Sequence, residues 1–326
     1  MQVHAVSVNP IDARTRGRVK PPPGEAKILG YDASGVVVAI GPDVTLFRVG
    51  DEVWYAGSIV GPGTNAEFHL VGERIVGKKP RSLSFVEAAA MPLTTITAWE
   101  LLFDRFAIAR RGSDGGSDQP PRSAPRRSAE ASAKAERTRP TLLIIGAGGG
   151  VGSVLTQLAR KLTTLTVIGT ASRPETREWV LSLGAHHVID HSQPLSVELA
   201  RIGIPQVTHV ASLTQTDRHF GEIAKSLAPQ GMMGLIDEPR PLDVNLLKQK
   251  CLSLRWEAMF ARSMFQTPDM IVQHQLLDAV ADLMDGGTIR TTLTEHFGRI
   301  DAANLKRAHA FIERGKARGK IALEGF

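Results

Sequence analysis

The hydrophobic pattern of the chain changes from strand-like to helix-like within residues 141–160. Residues 141–145 are all apolar or β-branched, which predicts a buried strand. From Ser153 onward, apolar side chains recur at helical spacing, at Val154, Leu155, Leu158 and Ala159. Glycines fill the segment between the two patterns, so the region predicts a strand, a tight turn and a helix in direct succession.

The glycines of this turn lie three residues apart. Residues without a Cβ let the backbone turn sharply and approach a phosphate closely, and the N-terminus of the next helix favours an anion. We therefore predict a dinucleotide-binding turn with contacts from Gly146, Gly149, Gly150, Val151 and Gly152. Strict Gly-x-Gly-x-x-Gly spacing is met only with Ala147 in the first place, and such turns also occur without nucleotides. The motif therefore depends on its context.

That context is an alternation of strand and helix patterns. Strand patterns follow at 165–170, 188–190, 207–211, 231–236 and 251–256. Helical patterns lie at 174–183, 217–227 and 243–250. This alternation predicts an α/β fold with a doubly wound, mostly parallel sheet of the Rossmann type. It favours nucleotide binding over a purely structural glycine turn.

The first part of the chain has a different pattern, with many short strands separated by Gly and Pro turns. Strand patterns lie at 1–8, 31–40, 49–55, 66–71 and 74–76, with residues 9–12 ending the first and a hairpin signal at 41–43. This pattern predicts an all-β, barrel-like domain.

Helical patterns connect and complete the two predicted domains. Ser84 and Glu87 have the spacing of a capping box, Pro92 interrupts that helix, and residues 94–106 resume it. A further helix is predicted from Thr267 to Gly286 and another over 302–314, with strands at 290–293 and 320–323. We predict a catalytic domain over 1–98, a nucleotide-binding domain over 99–262, and a last segment, 263–326, that returns to the catalytic domain.

The charge is concentrated in one segment. The chain has 326 residues and a net charge of +6, and residues 110–140 contain eight Arg or Lys against four Asp or Glu. Four of the six net charges therefore lie there. The segment has no apolar periodicity, so we predict that it is disordered. We expect no nucleic-acid partner, because no aromatic residue is interleaved for base stacking.

The remaining composition excludes several classes of protein. No apolar run is long enough to span a bilayer and no secretory leader is evident, so we expect a cytoplasmic protein with no membrane partner. The only cysteine is Cys251, which excludes an intrachain disulfide and a cysteine-rich zinc lobe. We expect Cys251 to be a buried, small apolar residue.

These motifs together resemble those of one family. The matching stretches are residues 5–12, 30–37, 49–53, 88–94, the glycine turn and 315–320. The chain resembles the zinc-type alcohol dehydrogenase-like proteins, in the quinone oxidoreductase branch of the medium-chain dehydrogenase/reductases. The resemblance implies a GroES-like catalytic domain beside a Rossmann domain that binds NADPH. It also implies that Asn9 and Asp12 border the substrate pocket, with Asp12 more often a turn cap than an acid in such a position.

The chain departs from the family pattern in two ways that bear on its structure. Zinc-using members place a Cys near Asn9 and a His-Glu pair where this chain has Tyr31 and Asp32. Members of the branch usually begin earlier, so the resemblance implies that the strand at 1–8 loses a partner and exposes an edge.

The end of the second Rossmann strand indicates which nicotinamide cofactor is used. An NAD-selective site usually has an acid there, whereas this chain has Ser172 and Arg173, with Arg177 one helical turn on. These residues could pair with a 2′-phosphate, although two arginines at a helix start can also be simple surface residues. We predict that the cofactor is NADPH.

The sequence predicts no catalytic zinc. Its ten histidines are scattered over both domains, and zinc needs three or four converging ligands. Without a Lewis acid, an activated acceptor such as a quinone or an α,β-unsaturated carbonyl is the easier substrate.

Tyr55 is the first candidate for a hydrogen-bond donor to that acceptor. The alternative is that Tyr55 only packs at the interface. Thr95 is a candidate contact of the nicotinamide amide, or a helix cap. Leu213, Thr214 and Lys320 are weaker cofactor contacts. The alternatives to a reductase are a zinc alcohol dehydrogenase and a non-catalytic nucleotide- or RNA-binding protein. A homodimer is possible.

Overall fold

A computed structural model describes residues 1–112 and 140–326. The predicted disorder of 110–140 therefore falls mainly outside the described residues. The described strands are β1 (Gln2–Val8), β2 (Asp32–Val36), β3 (Glu52–Ala56), β4 (Val76–Lys78), β5 (Thr141–Ile145), β6 (Thr166–Thr170), β7 (His187–Ile189), β8 (Val207–Ser212), β9 (Leu227–Leu235), β10 (Ser253–Trp256), β11 (Leu293–His296) and β12 (Lys320–Glu324).

The described α-helices are α1 (Pro10–Arg18), α2 (Phe85–Ala89), α3 (Pro92–Trp99), α4 (Gly150–Leu162), α5 (Pro174–Ser182), α6 (Leu195–Arg201), α7 (Thr216–Ser226), α8 (Ala261–Phe265), α9 (Ile271–Asp285) and α10 (Ala302–Glu313). A π-helix, Glu100–Arg105, continues α3. None of the described helices is long and apolar enough to cross a bilayer.

Two six-stranded sheets define two domains. The first has the order β11-β12-β1-β2-β3-β4, in which the strands from the end of the chain lie beside the first strand. The second has the order β10-β9-β8-β5-β6-β7, and all its pairings are parallel. The second sheet confirms the predicted Rossmann-type fold.

The two faces of the first sheet serve different cores. Val6, Ala33 and Tyr55 are register partners on one face and belong to the core inside the barrel-like domain. The neighbouring residues Trp54 and Ala56 belong instead to the large core shared with the Rossmann domain. This alternation decides which side chains of the catalytic domain can meet the cofactor-binding domain.

The expectation that β1 exposes an edge is wrong. It pairs on one side with β12 and on the other with β2, so it lies near the middle of its sheet. Residues 9–12 do not only end this strand but also begin α1. Asn9 caps this helix, and Pro10 is its first residue, where the N–H that proline lacks would have no partner within the helix. The segment at 66–71 is not a strand and contributes one isolated bridge, between Gln2 and Phe68.

Several predicted boundaries also differ from the structure. The strand predicted at 31–40 is limited to β2, and the helix predicted at 243–250 is a single 3₁₀ turn, Val244–Leu247. The helix expected from Thr267 begins at Ile271, because the Thr267 hydroxyl bonds to Asp269 in a preceding turn. The strand expected at 290–293 lies further along the chain, as β11, and shares only Leu293 with the predicted segment. Cys251 is exposed, not buried, and has a left-handed φ of 50° in the turn before β10.

Candidate active site

The glycine turn lies at the point where the order of the Rossmann strands reverses. β5 has β6 on one side and β8 on the other, and each strand ends at the same edge of the sheet. A Cβ on Gly146, just after β5, would lie 3.1 Å from Thr214 Cγ2 and 3.6 Å from Leu213 Cβ, both just after β8. Ligands of open α/β sheets bind in this crevice. The structure thus brings together three of the predicted cofactor contacts.

The geometry of the turn requires glycine at specific positions. Gly146 has a φ of +83°, which L side chains rarely adopt. A Cβ on Gly152 would lie 2.4 Å from the Gly146 carbonyl oxygen, so α4 could not pack this closely on β5. A Cβ on Gly149 would meet only that same oxygen, at 3.5 Å. The space beside Gly149 at the start of α4 therefore fits a phosphate group.

A buried polar network lies against this turn from the side of the catalytic domain. A Cβ on Gly150 would lie 2.8 Å from Lys320 Cδ, so the stem of Lys320 covers the first residue of α4. Lys320 Nζ donates to Asn9 Oδ1 at 2.5 Å and to Asp32 Oδ2 at 3.1 Å. The Asn9 side chain donates to the same Asp32 oxygen at 2.7 Å. Residues from three distant parts of the chain thus meet at the domain boundary.

The Asp32 carboxylate is fully engaged inside this network. Its Oδ1 accepts a hydrogen bond from the Leu93 backbone N–H at 2.7 Å, while Oδ2 accepts from Lys320 and Asn9. Its exposed fraction is 0%, and that of Lys320 is 3%. A buried carboxylate needs such compensation because desolvation strongly disfavours an isolated charge.

Asp12 is held differently from Asp32. Its Oδ2 accepts from the Asn9 backbone N–H at 2.6 Å, as part of the capping box of α1. Its Oδ1 is buried without a hydrogen-bond partner. Burial raises the pKa of Asp12 to about 7, while Lys320 and the Asn9 backbone bond act in the opposite direction. The cap predicted for Asp12 is therefore present, and its carboxyl group titrates near neutrality.

Thr95 lies in the buried helix α3, beside the contact between the domains. Its exposed fraction is 0% and its Oγ1 has no hydrogen-bond partner. The neighbouring Thr94 is the one that approaches the glycine turn, since its Cγ2 would lie 2.9 Å from a Cβ on Gly150. The role of Thr95 as a contact of the nicotinamide amide stays a prediction.

The structure places Tyr55 away from this network. Its side chain is buried in the barrel core, on the face of β3 opposite Trp54 and Ala56. Its hydroxyl is 2.8 Å from His69 Nδ1, and burial raises the pKa of Tyr55. The prediction that Tyr55 donates a hydrogen bond to the substrate is therefore corrected. Side chains along β3 alternate between the two faces of the sheet, and the Tyr55 hydroxyl lies in the barrel core, away from the domain boundary.

The predicted phosphate-binding arginines have different surroundings. Arg173 lines a cavity of about 180 Å³ together with Glu175, Thr176, Thr294, Glu295, Phe311, Lys316 and Arg318. Ser172 is exposed just after β6. Arg177 instead donates to the Val188 carbonyl oxygen at 2.7 Å, at the next strand. Arg173 is thus brought to a basic cavity, whereas Arg177 is engaged in fixing α5 to β7.

Sequence reasoning missed the basic residues opposite Arg173. Lys316 and Arg318 lie between α10 and β12, more than a hundred residues from Arg173 in the chain. Gly319 N donates to the Gly148 carbonyl oxygen at 2.9 Å, which joins this segment to the glycine turn. The basic composition of residues 314–320 and the family resemblance of 315–320 were the available signals, and neither indicated that this segment lies beside Arg173.

The comparisons with known proteins agree with this architecture. Residues 1–81 match the family model for the alcohol dehydrogenase GroES-like domain, and residues 183–323 match that for the zinc-binding dehydrogenases. A zinc-type alcohol dehydrogenase-like protein of Staphylococcus aureus (strain MSSA476) is 37% identical over 325 residues, covering 99% of this chain and 89% of that protein.

Two solved structures extend this likeness. A protein of Rhizobium etli CFN 42, assigned by its name to the zinc-dependent alcohol dehydrogenases, is 54% identical with a TM-score of 0.87; the match covers 100% of this chain and 88% of that one. The NADPH complex of Escherichia coli quinone oxidoreductase has a TM-score of 0.78 at 22% identity, covering 99% and 90%. At that identity the second likeness shows the fold alone.

The fold and the crevice define a two-domain oxidoreductase that binds a nicotinamide dinucleotide. The chain belongs to the zinc-type alcohol dehydrogenase-like family.

The zinc ion implied by the family name does not fit the residues described here. Within residues 1–112 and 140–326, no three His, Cys, Asp or Glu side chains converge on a possible metal site. Asp32, the acid at the domain boundary, has both oxygens occupied by Lys320, Asn9 and Leu93. The neighbouring Tyr31 is a phenol that bonds to Thr15, not an imidazole.

Proposed function

We propose that this protein is an NADPH-dependent reductase of quinones or α,β-unsaturated carbonyl compounds that operates without catalytic zinc. The observation that carries the proposal is the pairing of Asp32 with Lys320 beside the glycine turn. The ammonium group of Lys320 binds the Asp32 carboxylate, so this carboxylate is not free to bind a metal cation. Without a Lewis acid, alkoxide chemistry is unfavourable, and a polarised acceptor is favoured.

The choice of NADPH over NADH is supported by the cavity beside Arg173. Three basic residues, Arg173, Lys316 and Arg318, line it against two acids, Glu175 and Glu295. Arg173 Nη2 donates to the Lys316 carbonyl oxygen, which keeps its guanidinium at the wall of the cavity. A dianionic 2′-phosphate would be stabilised there by charge-assisted hydrogen bonds. No acid lies at the end of β6 to bind ribose hydroxyls.

The residues of the crevice would orient the cofactor for reaction. NADPH supplies the hydride when bound. Gly146, Gly149 and Gly152 allow the backbone to contact its pyrophosphate, and the unpartnered Thr95 Oγ1 is available to its nicotinamide amide. Asp32 fixes Lys320, whose stem lies against Gly150, so this residue of the catalytic domain would help to position the bound cofactor.

The test is an assay of NADPH oxidation with phenanthrenequinone and with cyclohexenone, alongside ethanol oxidation with NADP⁺. The expected result is turnover of at least one of the two acceptors, no ethanol oxidation, and no loss of rate on chelation. One zinc per chain by elemental analysis, lost together with activity on chelation, would instead support an alcohol dehydrogenase.

We also propose that the protein forms a homodimer through the β10 edge of the Rossmann sheet. β10 pairs only with β9 among the described strands, and Trp256 at the end of β10 is 55% exposed. Unpaired strands with exposed apolar side chains favour association. Light scattering of the native protein and of Trp256→Glu tests this, with a monomeric native protein as the contradicting result.

A further inference from the structure

The chain contains two tyrosines, and their surroundings differ. Tyr55 lies in the barrel core and bonds to His69. Tyr31 belongs to the large core shared by the two domains and is 2% exposed. Only Tyr31 therefore places a phenol at the domain boundary.

The ring of Tyr31 lies against a residue of the Rossmann domain. Its centroid is 5.0 Å from that of Phe260, with the planes at 61°. Phe260 follows the C-terminal end of β10, at the edge of the sheet where ligands of such folds bind. Phe260, Ile11 and Ile59 are only half-buried against this core. Phe260 thus gives the Tyr31 ring an apolar neighbour that is only partly buried.

The hydroxyl of Tyr31 has one hydrogen-bond partner, Thr15 Oγ1 at 3.1 Å. Either oxygen can be the donor. When Thr15 donates to Tyr31, the phenolic proton is free for a further acceptor, and each bond strengthens the other. Burial raises the pKa of Tyr31, and the nearby Asp12 carboxyl acts in the same direction, so the phenol keeps its proton.

Tyr31 is also fixed next to the network that touches the cofactor-binding turn. It precedes Asp32, whose carboxylate is bound by Lys320, and the stem of Lys320 covers Gly150. The backbone carbonyl of Tyr31 accepts from Gly57 N at 2.8 Å, which anchors this end of β2. A rigid, buried and neutral phenol has the properties of an oxyanion-stabilising donor.

We propose that the Tyr31 hydroxyl donates the hydrogen bond that stabilises the acceptor oxygen as negative charge develops on it. This inference rests on the proposed reductase function. The half-buried Phe260 side chain must move aside for the acceptor to reach the phenol. Tyr31 transfers no proton in this step: hydride reduces the acceptor, and solvent supplies the proton that completes the product.

Tyr31→Phe tests the inference, because it removes the hydroxyl and keeps the ring against Phe260. We expect kcat with phenanthrenequinone or cyclohexenone to fall about 100- to 1000-fold, the order found for removing one oxyanion donor. The Kd for NADPH, from fluorescence titration, should change less than about twofold, because the phenol contacts the acceptor and not the dinucleotide.

Two controls separate donation from structural support. Tyr55→Phe removes the other buried phenol and should keep kcat within about twofold of the native value. Thr15→Val removes the same Thr15–Tyr31 hydrogen bond but keeps the phenol, so its kcat should stay well above that of Tyr31→Phe. Equal losses in Thr15→Val and Tyr31→Phe would mean a structural role and overturn the inference.

The remaining outcomes are also decisive. If the native protein is active and Tyr31→Phe has an unchanged kcat, only the inference is overturned. If the native protein is inactive with both acceptors, the reductase function is overturned and the inference with it.

If Tyr31→Phe does not fold, fluorotyrosine incorporated into Tyr55→Phe labels only Tyr31. Its more acidic phenol should raise kcat about twofold or more, and an unchanged kcat contradicts donation.

Discussion

Lys320 Nζ lies 3.1 Å from Asp32 Oδ2, although 288 positions separate the two residues in the chain. The pair joins the last strand of the catalytic domain to β2, and the stem of the same lysine covers Gly150 of the Rossmann domain. One side chain therefore connects the discontinuous catalytic domain and the cofactor-binding turn.

Replacing this lysine should destabilise the protein strongly. Lys320→Met leaves Asp32 as a buried carboxylate without its cation, and breaking such a pair costs about 3–5 kcal/mol. The free energy of unfolding from urea titration measures the loss. The double variant Asp32→Asn, Lys320→Met removes both charges and should lose less than Lys320→Met alone; a larger loss would contradict the role of the charge.

The glycine turn should tolerate no methyl group at Gly152. In Gly152→Ala, the new Cβ would lie 2.4 Å from the Gly146 carbonyl oxygen, so α4 must move away from the turn. We expect affinity for NADPH to fall at least tenfold in fluorescence titrations. Gly221→Ala is the matched control, since a Cβ there meets nothing within 4 Å.

The control should itself gain stability. Gly221 lies inside α7, where alanine is favoured over glycine by about 0.5–1 kcal/mol. Unchanged NADPH affinity in Gly221→Ala, with a slightly raised melting temperature, is the expected result. Equal loss of affinity in both variants would argue against close packing at Gly152.

Cofactor preference should depend on Arg173 and not on Arg177. Arg173→Ala removes one of the basic side chains that line the cavity, so NADPH should bind more weakly while NADH binds as before. Arg177→Ala removes a bond to the Val188 carbonyl and should affect thermal stability more than the ratio of the two affinities. Titrations with both dinucleotides measure that ratio, and a native ratio in Arg173→Ala would exclude the cavity as the 2′-phosphate site.

Asp12 should make folding stability depend on pH. Its pKa is raised from 3.8, the ordinary value of an aspartate side chain, to about 7 in the folded protein, mainly by burial. The folded state therefore binds the proton more tightly than the unfolded state. This contribution to stability is fully present below the unfolded pKa and is lost as pH rises through about 7.

Asp12→Asn cannot ionise and should lack this dependence. Measured by thermal unfolding from pH about 4 to about 8, the native protein should lose stability relative to the variant as pH rises. Asp43→Asn, a change at an exposed loop, is the control and should follow the native protein. Parallel curves for all three proteins would contradict a raised pKa at Asp12.

Local sequence patterns predicted the strands and most helices of the Rossmann half, but not α6 or the 3₁₀ turn in place of the helix expected at 243–250. The strand, turn and helix at 141–160 lie next to each other in the chain, and each following strand has its own apolar run. The same patterns placed Gly146, Leu213 and Thr214 at one edge, because parallel strands align their carboxyl ends. Boundaries failed where one contact decided them, as at Thr267, whose side chain bonds to Asp269.

The polar centre of the site could not be obtained in this way. Which of the two tyrosines lies at the domain boundary is not set by the local pattern: Tyr55 on β3 faces the barrel core, whereas Tyr31, just before β2, lies in the core shared by the two domains. The partner of Asp32 comes from residue 320, and the cavity beside Arg173 is completed by residues 316 and 318. Charge composition alone does not specify such long-range pairing.

The sheet order β11-β12-β1-β2 has a consequence for biosynthesis. β1 leaves the ribosome well before β12, so it cannot gain one of its two neighbours until residues 320–324 have been translated. All strands of the Rossmann sheet emerge in the meantime, so that domain can fold first. The nascent barrel is then exposed for most of translation, and chaperone dependence should be greatest for that half.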